Sequence, residues 1–339
     1  MNKPLYLGIE IGGTKLQLGL GRGDGEISRF ERRRIVPENG AEGVRAQILD
    51  AVAALLGRVD GKSEAGSISA VGVGFGGPVD AVEGVVATSH QVSGWDEFPL
   101  AEWLCNSLGV ARAVVQNDAD AAGLAEARFG AGKGFSPILY VTIGSGIGGG
   151  LIYNGTGKIY RGAGVGAIEI GHLWVIDRHN ADLGEVTLEK AASGWAIAAS
   201  ARAYAERHRA EGRRDWPVLI KANGDPSAIT TIDVADAARE GDFEAQMLLD
   251  RATTAMAQGL RQAVTLLAPR RIILGGGVSL IGEELWLGPI RCKLDAIVFP
   301  PLRGTFDLVP AALGEAVVVQ GALALARDLD GEPTSATHS

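Results

Sequence analysis

Apolar and polar positions along this chain switch between two periods, and the switches mark its elements. In "LGIEIGGTKLQLGLG", residues 7 to 21, an apolar run stops at a glycine pair, and Leu16, Leu18 and Leu20 then recur at every second position. A period of two is that of a strand with one buried face. The stretch predicts strand, Gly-Gly turn, strand: a β-hairpin. Residues 42–57, "EGVRAQILDAVAALLG", change to helical spacing and stop at a glycine. "ISAVGVGF", 68–75, is a short apolar run that predicts a buried strand leading into Gly76, Gly77 and Pro78. "FPLAEWLCNSLG", 98–109, predicts a helix ending at Gly109. Residues 112–130 predict a short strand, a turn at Gln116–Asp118, and a helix.

The pattern then restarts. "PILYVTIGSGIGGGLIYNG", 137–155, again reads strand, glycine-rich turn, strand. Two hairpins on one plan predict two α/β lobes of related design with a cleft between them. Residues 230–269 predict two helices, the second long, and "RRIILGGGVS", 270–279, a buried strand ending in three glycines. Residues 314–329 end in a helix. The last ten residues, "DGEPTSATHS", are polar and are expected to be disordered. The basic run "RFERRR", 29–34, is expected to be a solvated strand edge or loop rather than a nucleic-acid site.

Composition narrows the class. A chain of 339 residues suggests about two domains and can bury a large core without staples. Hydrophobic content of 46% with 21% charged residues is that of a soluble globular protein. The net charge of −8 argues against DNA or an anionic membrane as the main partner, since both are polyanions. Cys105 and Cys292 are too few for a disulfide framework or a four-cysteine metal site, so two reduced thiols are expected. No signal-peptide pattern opens the chain, because Glu10 and two glycines interrupt its apolar run. No apolar run reaches the length of a membrane span. A cytoplasmic protein is expected.

Several stretches carry candidate chemistry. Gly8 and Gly13 have the spacing of a phosphate-binding P-loop, but Thr14 precedes Lys15, and a strand follows where a P-loop needs a helix. Glycines in a hairpin turn still let a phosphate approach main-chain N–H groups with no Cβ in the way. "GSGIGGG", 144–150, contains the G-x-G-x-x-G spacing of dinucleotide sites, yet it also lacks the following helix. A second phosphate-gripping hairpin and a tight hairpin without a ligand both remain open. Asn117 and Asp118 begin a helix. They suit an N-cap as well as a carboxylate placed to take a proton from a substrate hydroxyl. Glu169 and His172 have a Glu-x-x-His spacing that suits a metal pair on a helix, though Gly166 and Gly171 argue against a long helix there. Glu189 alone reads as a surface carboxylate. There is no G-x-S-x-G elbow.

Together these stretches resemble the ROK family of sugar kinases. "IEIGGTK", "FGGPVD", "NDADAA", "TIGSGIGGGLI", "EIGH", "LEKAASG", "LGGGVS" and "GALALA" follow one another in family order from about residue 5 to 328. The resemblance implies the two-lobed actin-like fold of hexokinase, actin and the Hsp70 ATPase, with ribonuclease H-like lobes and the active site in the cleft. The smaller lobe would be 1–116 plus 314–330, the larger 117–313, with a disordered tail at 331–339. It implies an ATP- and Mg²⁺-dependent kinase of a hexose, glucose first. Asp118 would be the base, and Gly76, Asn117, Glu169, His172 and Glu189 would hold the sugar together with it. Gly12, Gly13, Thr14, Lys15, Thr142, Gly144 and Gly146 would hold phosphates, and Gly275 and Gly276 would lie near adenosine. Glu10 would reach Mg²⁺ through water. A homodimer is implied by the family alone.

Departures from the family pattern shape further expectations. Glu10 stands where the usual residue is Asp, Asp120 ends the Asn-Asp-Ala-Asn pattern, and Gln91 replaces an Asn in "SHQVSGW" beside His90. The cysteine-rich zinc motif that many members carry after His172 is missing. His172, Asp177, His179 and Asp182 remain as alternative ligands, but no zinc is expected. Other acceptors (N-acetylmannosamine, N-acetylglucosamine, fructose or allose), a polyphosphate donor, and a non-catalytic sugar sensor are the alternatives. A DNA-binding regulator is disfavoured, because the first hairpin begins at residue 5 and Asp118 is present.

Overall fold

The computed structural model describes residues 4–57, 68–89, 91–153, 157–177 and 184–331. The chain forms two compact units. One comprises Met1–Phe135, Gly150–Ala167 and Ala312–Ser339, the other Ser136–Gly149 and Ile168–Ala311. Among the described residues, no helix is long and apolar enough to cross a membrane.

The sheet of the first unit starts with a meander of β1 (Leu5–Ile11), β2 (Lys15–Gly21) and β3 (Ile27–Arg34). β4 (Ile68–Phe75) runs parallel to β1, and the strand Ala113–Asn117 runs parallel to β4. The alternation in β2 has a different meaning from the one its period suggests. Every position after Lys15 is buried. Leu16, Leu18 and Leu20 join a core with Val44 and Ile48 of the helix Gly40–Leu56. Gly19 faces the helix Val317–Gly331, and a Cβ there would stand 2.7 Å from Val319 Cγ1. The positions between the leucines, Gln17, Gly19 and Gly21, are buried as well, so the period does not mark a solvent-facing side: both faces of the sheet are covered. Gly72 of β4 shows the same close approach: its missing Cβ would lie 1.9 Å from the carbonyl oxygen of Ala322.

β3 is the edge strand, and its basic run does what charged edges do, discouraging pairing with another chain. Arg29 donates to Leu55 O at 2.7 Å, and Arg33 pairs with Glu31 and Asp50.

The helix Asp118–Phe129 packs on the helix Val317–Gly331 and on β4. Gly321 permits this, since a Cβ there would meet Ala121 O at 1.9 Å. That packing makes the helix part of the first unit, where the sequence reading drew the boundary at residue 116. Buried Glu126 extends the unit further. Its carboxylate accepts from the N–H groups of Ala131, Ala312 and Leu313 at 2.7, 2.8 and 2.9 Å. The last helix also runs past the expected end of order. Asp330 accepts the Tyr6 hydroxyl at 2.6 Å and pairs with Arg112, and the helix closes at Gly331. Of the tail expected at 331–339, residues 332–339 lie outside the described residues.

A second five-stranded sheet has the order Lys158–Ile159, Ile147–Tyr153, Ile138–Ile143, Arg271–Gly275, Asp307–Pro310. The last three of these strands are mutually parallel. The helices Gly194–Ala210, Thr231–Arg239 and Phe243–Leu267 surround a core that includes Leu188, Met256, Leu260 and Trp286. Thr230 starts its helix with a full capping box to Asp233.

Candidate functional site

The first hairpin turn is closed by its own atoms. Gly12 N–H donates to Lys15 O at 2.9 Å, and Thr14 O accepts from Ile35 N–H. The Lys15 ammonium stands 2.9 Å from Glu10 Oε1. Gln17, opposite Glu10 in the strand register, turns its amide nitrogen toward Glu10 Oε2 at 2.7 Å. Burial pushes the Glu10 carboxyl up to about 7. Lys15 pulls it down by charge and hydrogen bond, and the charges of Asp118 and Glu315 push it up further. Gln91 lies directly over Gly13. A Cβ on that glycine would fall 1.3 Å from Gln91 Oε1. His90 lies outside the described residues.

Asn117 and Asp118 sit where strand becomes helix, at the end of Ala113–Asn117. Of the two open readings, the cap is realised by Asn117. Its Oδ1 accepts from Ala119 N–H at 2.8 Å, while its Nδ2 donates to Gly77 O at 3.1 Å. Asp118 occupies the first helical position, half-buried, with Oδ1 also 2.8 Å from Ala119 N–H. A carboxylate is favoured there by the helix N-terminus. Gly76 keeps space at its other oxygen, since a Cβ would lie 3.3 Å from Asp118 Oδ2. Asp120 is buried and takes the Gln116 amide at 3.0 Å.

The second glycine turn is built differently. Gly144 N–H donates to Gly146 O at 2.9 Å, and the Glu189 carboxylate accepts from Ile147 N–H at 2.8 Å. Glu189 reaches this turn because Gly146 lacks a Cβ, which would stand 2.5 Å from Glu189 Oε2. The helix Gly194–Ala210 begins against the same turn, with Gly194 N–H donating to Gly144 O at 2.8 Å and Ser193 capping Ala196. Beside it opens a cavity of about 670 Å³. It is lined by Gly144 and Ser145 of the turn, Trp195 and Ala198 of the helix that starts there, and Ile232 and Leu280. Thr142 is half-buried in the strand leading to the turn.

The glycines after Arg271–Gly275 divide their tasks. Gly275 is buried, and its missing Cβ makes room for the Tyr140 hydroxyl, which would be 2.3 Å away. Gly276 turns the chain with a positive φ of 82°. The glycine that lines the cavity is the next one, Gly277. Trp195 was missed in the sequence because it reads there as one apolar residue of an amphipathic helix. In the structure it is 65% exposed, and its place in the cavity wall explains an aromatic ring left open to solvent.

Glu169 and His172 flank a single 3-10 turn, with His172 N–H donating to Glu169 O at 3.0 Å. Both side chains are exposed. Asp177 is buried and paired with Arg251. His179 and Asp182 lie outside the described residues. Among the described residues, no three His, Cys, Asp or Glu side chains gather in a way that could hold a metal ion.

The family description of the ROK proteins matches residues 6–329. The chain is similar to a glucokinase of Thermotoga maritima, with 32% identity over 98% of this chain and 100% of the relative. Among solved structures it is similar to a ROK family glucokinase from Streptomyces griseus in complex with glucose and AMPPNP. That match has a TM-score of 0.77, with 32% identity over 96% of this chain and 99% of that one. A ROK hexokinase from Thermus thermophilus matches with a TM-score of 0.72, at 26% identity over 97% and 100%.

Proposed function

The chain belongs to the ROK family, and we propose that it is an ATP-dependent glucokinase, transferring the γ-phosphoryl group of ATP to a hydroxyl of glucose. The observation that carries this reading is the likeness, over nearly the whole chain, to a protein solved with glucose and an ATP analogue bound. The two glycine turns and the cavity beside the second supply what phosphoryl transfer asks of a protein, which is positioning and charge neutralisation rather than covalent chemistry.

In this reading Asp118 takes the proton from the attacking hydroxyl. Gly76, Asn117, Glu169, His172 and Glu189 fix the sugar, whose hydroxyls are read by groups that would be left unpaired by a wrong epimer. Gly12, Gly13, Thr14 and Lys15 at one turn, and Thr142, Gly144 and Gly146 at the other, hold phosphate oxygens. Gly275 and Gly276 shape the approach to adenosine. Mg²⁺ fits the donors present: Glu10 and Asp118 offer hard carboxylate oxygens, and after burial the charge of Asp118 adds to what raises the Glu10 carboxyl, against the pull of Lys15. Bound there through water to Glu10, the ion would neutralise phosphate charge. The protein is further proposed to act in the cytoplasm as a homodimer, which light scattering on the purified chain tests.

The test is ADP release from ATP and Mg²⁺ across glucose, fructose, allose, N-acetylmannosamine and N-acetylglucosamine, beside Asp118→Asn. We expect turnover on glucose and a fall in kcat of about 10²–10⁴-fold in the variant, with sugar affinity retained. Near-normal turnover by the variant would remove Asp118 from the base role. A sugar that raises thermal stability without any turnover would favour a sensor.

A further inference from the structure

Two of the candidate sugar residues stand at the two ends of one small ribbon, formed by the antiparallel strands Trp174–Ile176 and Glu185–Thr187. His172 precedes the first strand and Glu189 follows the second. The residues beside them are bonded to each other, since Leu188 N–H donates to Leu173 O at 2.7 Å. A shift of the first strand therefore moves His172 against Glu189, whose carboxylate is held on Ile147 N–H.

A two-stranded ribbon is marginally stable by itself. Leu173 O and Asp177 N–H turn toward the partner strand, the latter donating to Gly184 O at 3.0 Å. The main-chain groups of Trp174 and Ile176 therefore turn away from it, as alternation along an antiparallel pair requires. They end on one face of the helix Phe243–Leu267. Gln258 accepts from Ile176 N–H at 2.9 Å and donates to Ile176 O at 3.0 Å. Gln262, about one turn later, donates to Trp174 O at 2.9 Å. Arg251, about two turns before Gln258, holds buried Asp177 through Nε at 2.9 Å and through Nη2. A glutamine amide carries the donor and acceptor of a peptide group, so Gln258 pairs with Ile176 as a third strand would. Apolar packing alone, such as that of buried Val175, can slide. Directional bonds to named atoms set one register.

We infer that Gln258 and Gln262 are positioning residues of the sugar site: by completing the outer edge of this ribbon they fix His172 relative to Glu189. The inference rests on the reading of His172 and Glu189 as sugar residues, and the glutamines act only through the ribbon.

The experiment compares the full-length protein with the double variant Gln258→Ala and Gln262→Ala, by calorimetric titration of glucose without nucleotide and by steady-state kinetics. Alanine favours a helix, so the helix is kept. Expected is a rise of about tenfold in both the dissociation constant and KM for glucose, with KM for ATP changed less than about twofold. Hydrogen exchange at Leu188 N–H, a bond that neither glutamine makes, should quicken as the ribbon loosens. Unchanged glucose affinity would overturn the inference. So would equal rises in KM for both substrates, the mark of a general loss of structure, or unchanged exchange at Leu188. Gln262→Lys keeps a donor for Trp174 O and should bind glucose better than Gln262→Ala, whereas Gln262→Glu sets an acceptor against an acceptor and should bind it worse. The reverse order would overturn the inference too. If the wild-type protein neither binds nor phosphorylates any sugar of the panel, the kinase reading fails and the inference falls with it. Wild-type turnover beside an indifferent double variant strikes the inference alone.

Discussion

The two glycine turns look alike as letters and differ as chemistry. The first is filled from within: Lys15 pairs with a buried carboxylate, and Gln91 lies over Gly13. The second is filled by Glu189 at Gly146 and left open at Gly144. Nothing stands within 4 Å of where a Gly144 Cβ would be, and an apolar cavity lies beside it. A turn that must meet charge keeps its own charges close, at a cost in burial. In the proposed reading the second turn meets phosphate instead, and there the missing Cβ of Gly144 leaves room for a ligand to approach the main chain. The same residue type thus provides close packing in one place and access in another, and its neighbours decide which.

The largest test of this contrast is electrostatic. Glu10 holds its proton more tightly in the folded state, at about 7, than at its ordinary value of 4.5. The folded state binds more protons across that window, so its stability falls as pH rises from the lower value through about 7 and is level for this group beyond it. A difference of this size is worth roughly 3 kcal/mol. Chemical denaturation of the ligand-free protein should show the fall, and Glu10→Gln should flatten it. A wild-type profile level between pH 5 and 8 would mean that the first turn carries no such electrostatic load.

Next comes the link between the second turn and Glu189. Gly146→Ala would push a methyl into the carboxylate that holds Ile147 N–H, and kcat/KM for the sugar should drop about a hundredfold. Steady-state kinetics with an unchanged value would separate Glu189 from the sugar.

The cover on the first turn should cost less. Gly13→Ala meets an exposed, flexible side chain and should destabilise by about 1 kcal/mol. The pair Gly13→Ala with Gln91→Ala should recover most of that, a coupling that a double-mutant cycle reads directly. Additive losses would show that Gln91 does not restrain the turn. Gly144→Ala should change stability least, within about 0.5 kcal/mol, while raising KM for the nucleotide. A large loss of stability there would mean that the second turn is packed after all.

Much of the fold was legible in the chain, because its signals are local. The Leu periodicity of β2 and the stop at Gly109 each act within a few residues. Asn117 was legible as a cap but ambiguous as a ligand, and the structure gives its side chain to Ala119 and Gly77. Other features carried no sequence signal. Gly275 reads as one of three equivalent glycines, yet it serves Tyr140, and Gly277 lines the cavity. Glu189 reads as a surface carboxylate until it is found on Ile147 N–H.

By itself, the sequence determined which segments are strands and helices, where the chain turns, that two glycine hairpins exist, and that the chain belongs to the ROK family. These follow from backbone preference and periodicity, which need no distant partner. The tertiary structure alone decided that the small residues of β2 face a helix some three hundred residues later. It also decided that Glu10 is buried enough to hold its proton near neutrality, and that Trp195 walls a cavity. Burial and close approach depend on which surfaces meet, and in this chain the surfaces that meet are far apart in sequence.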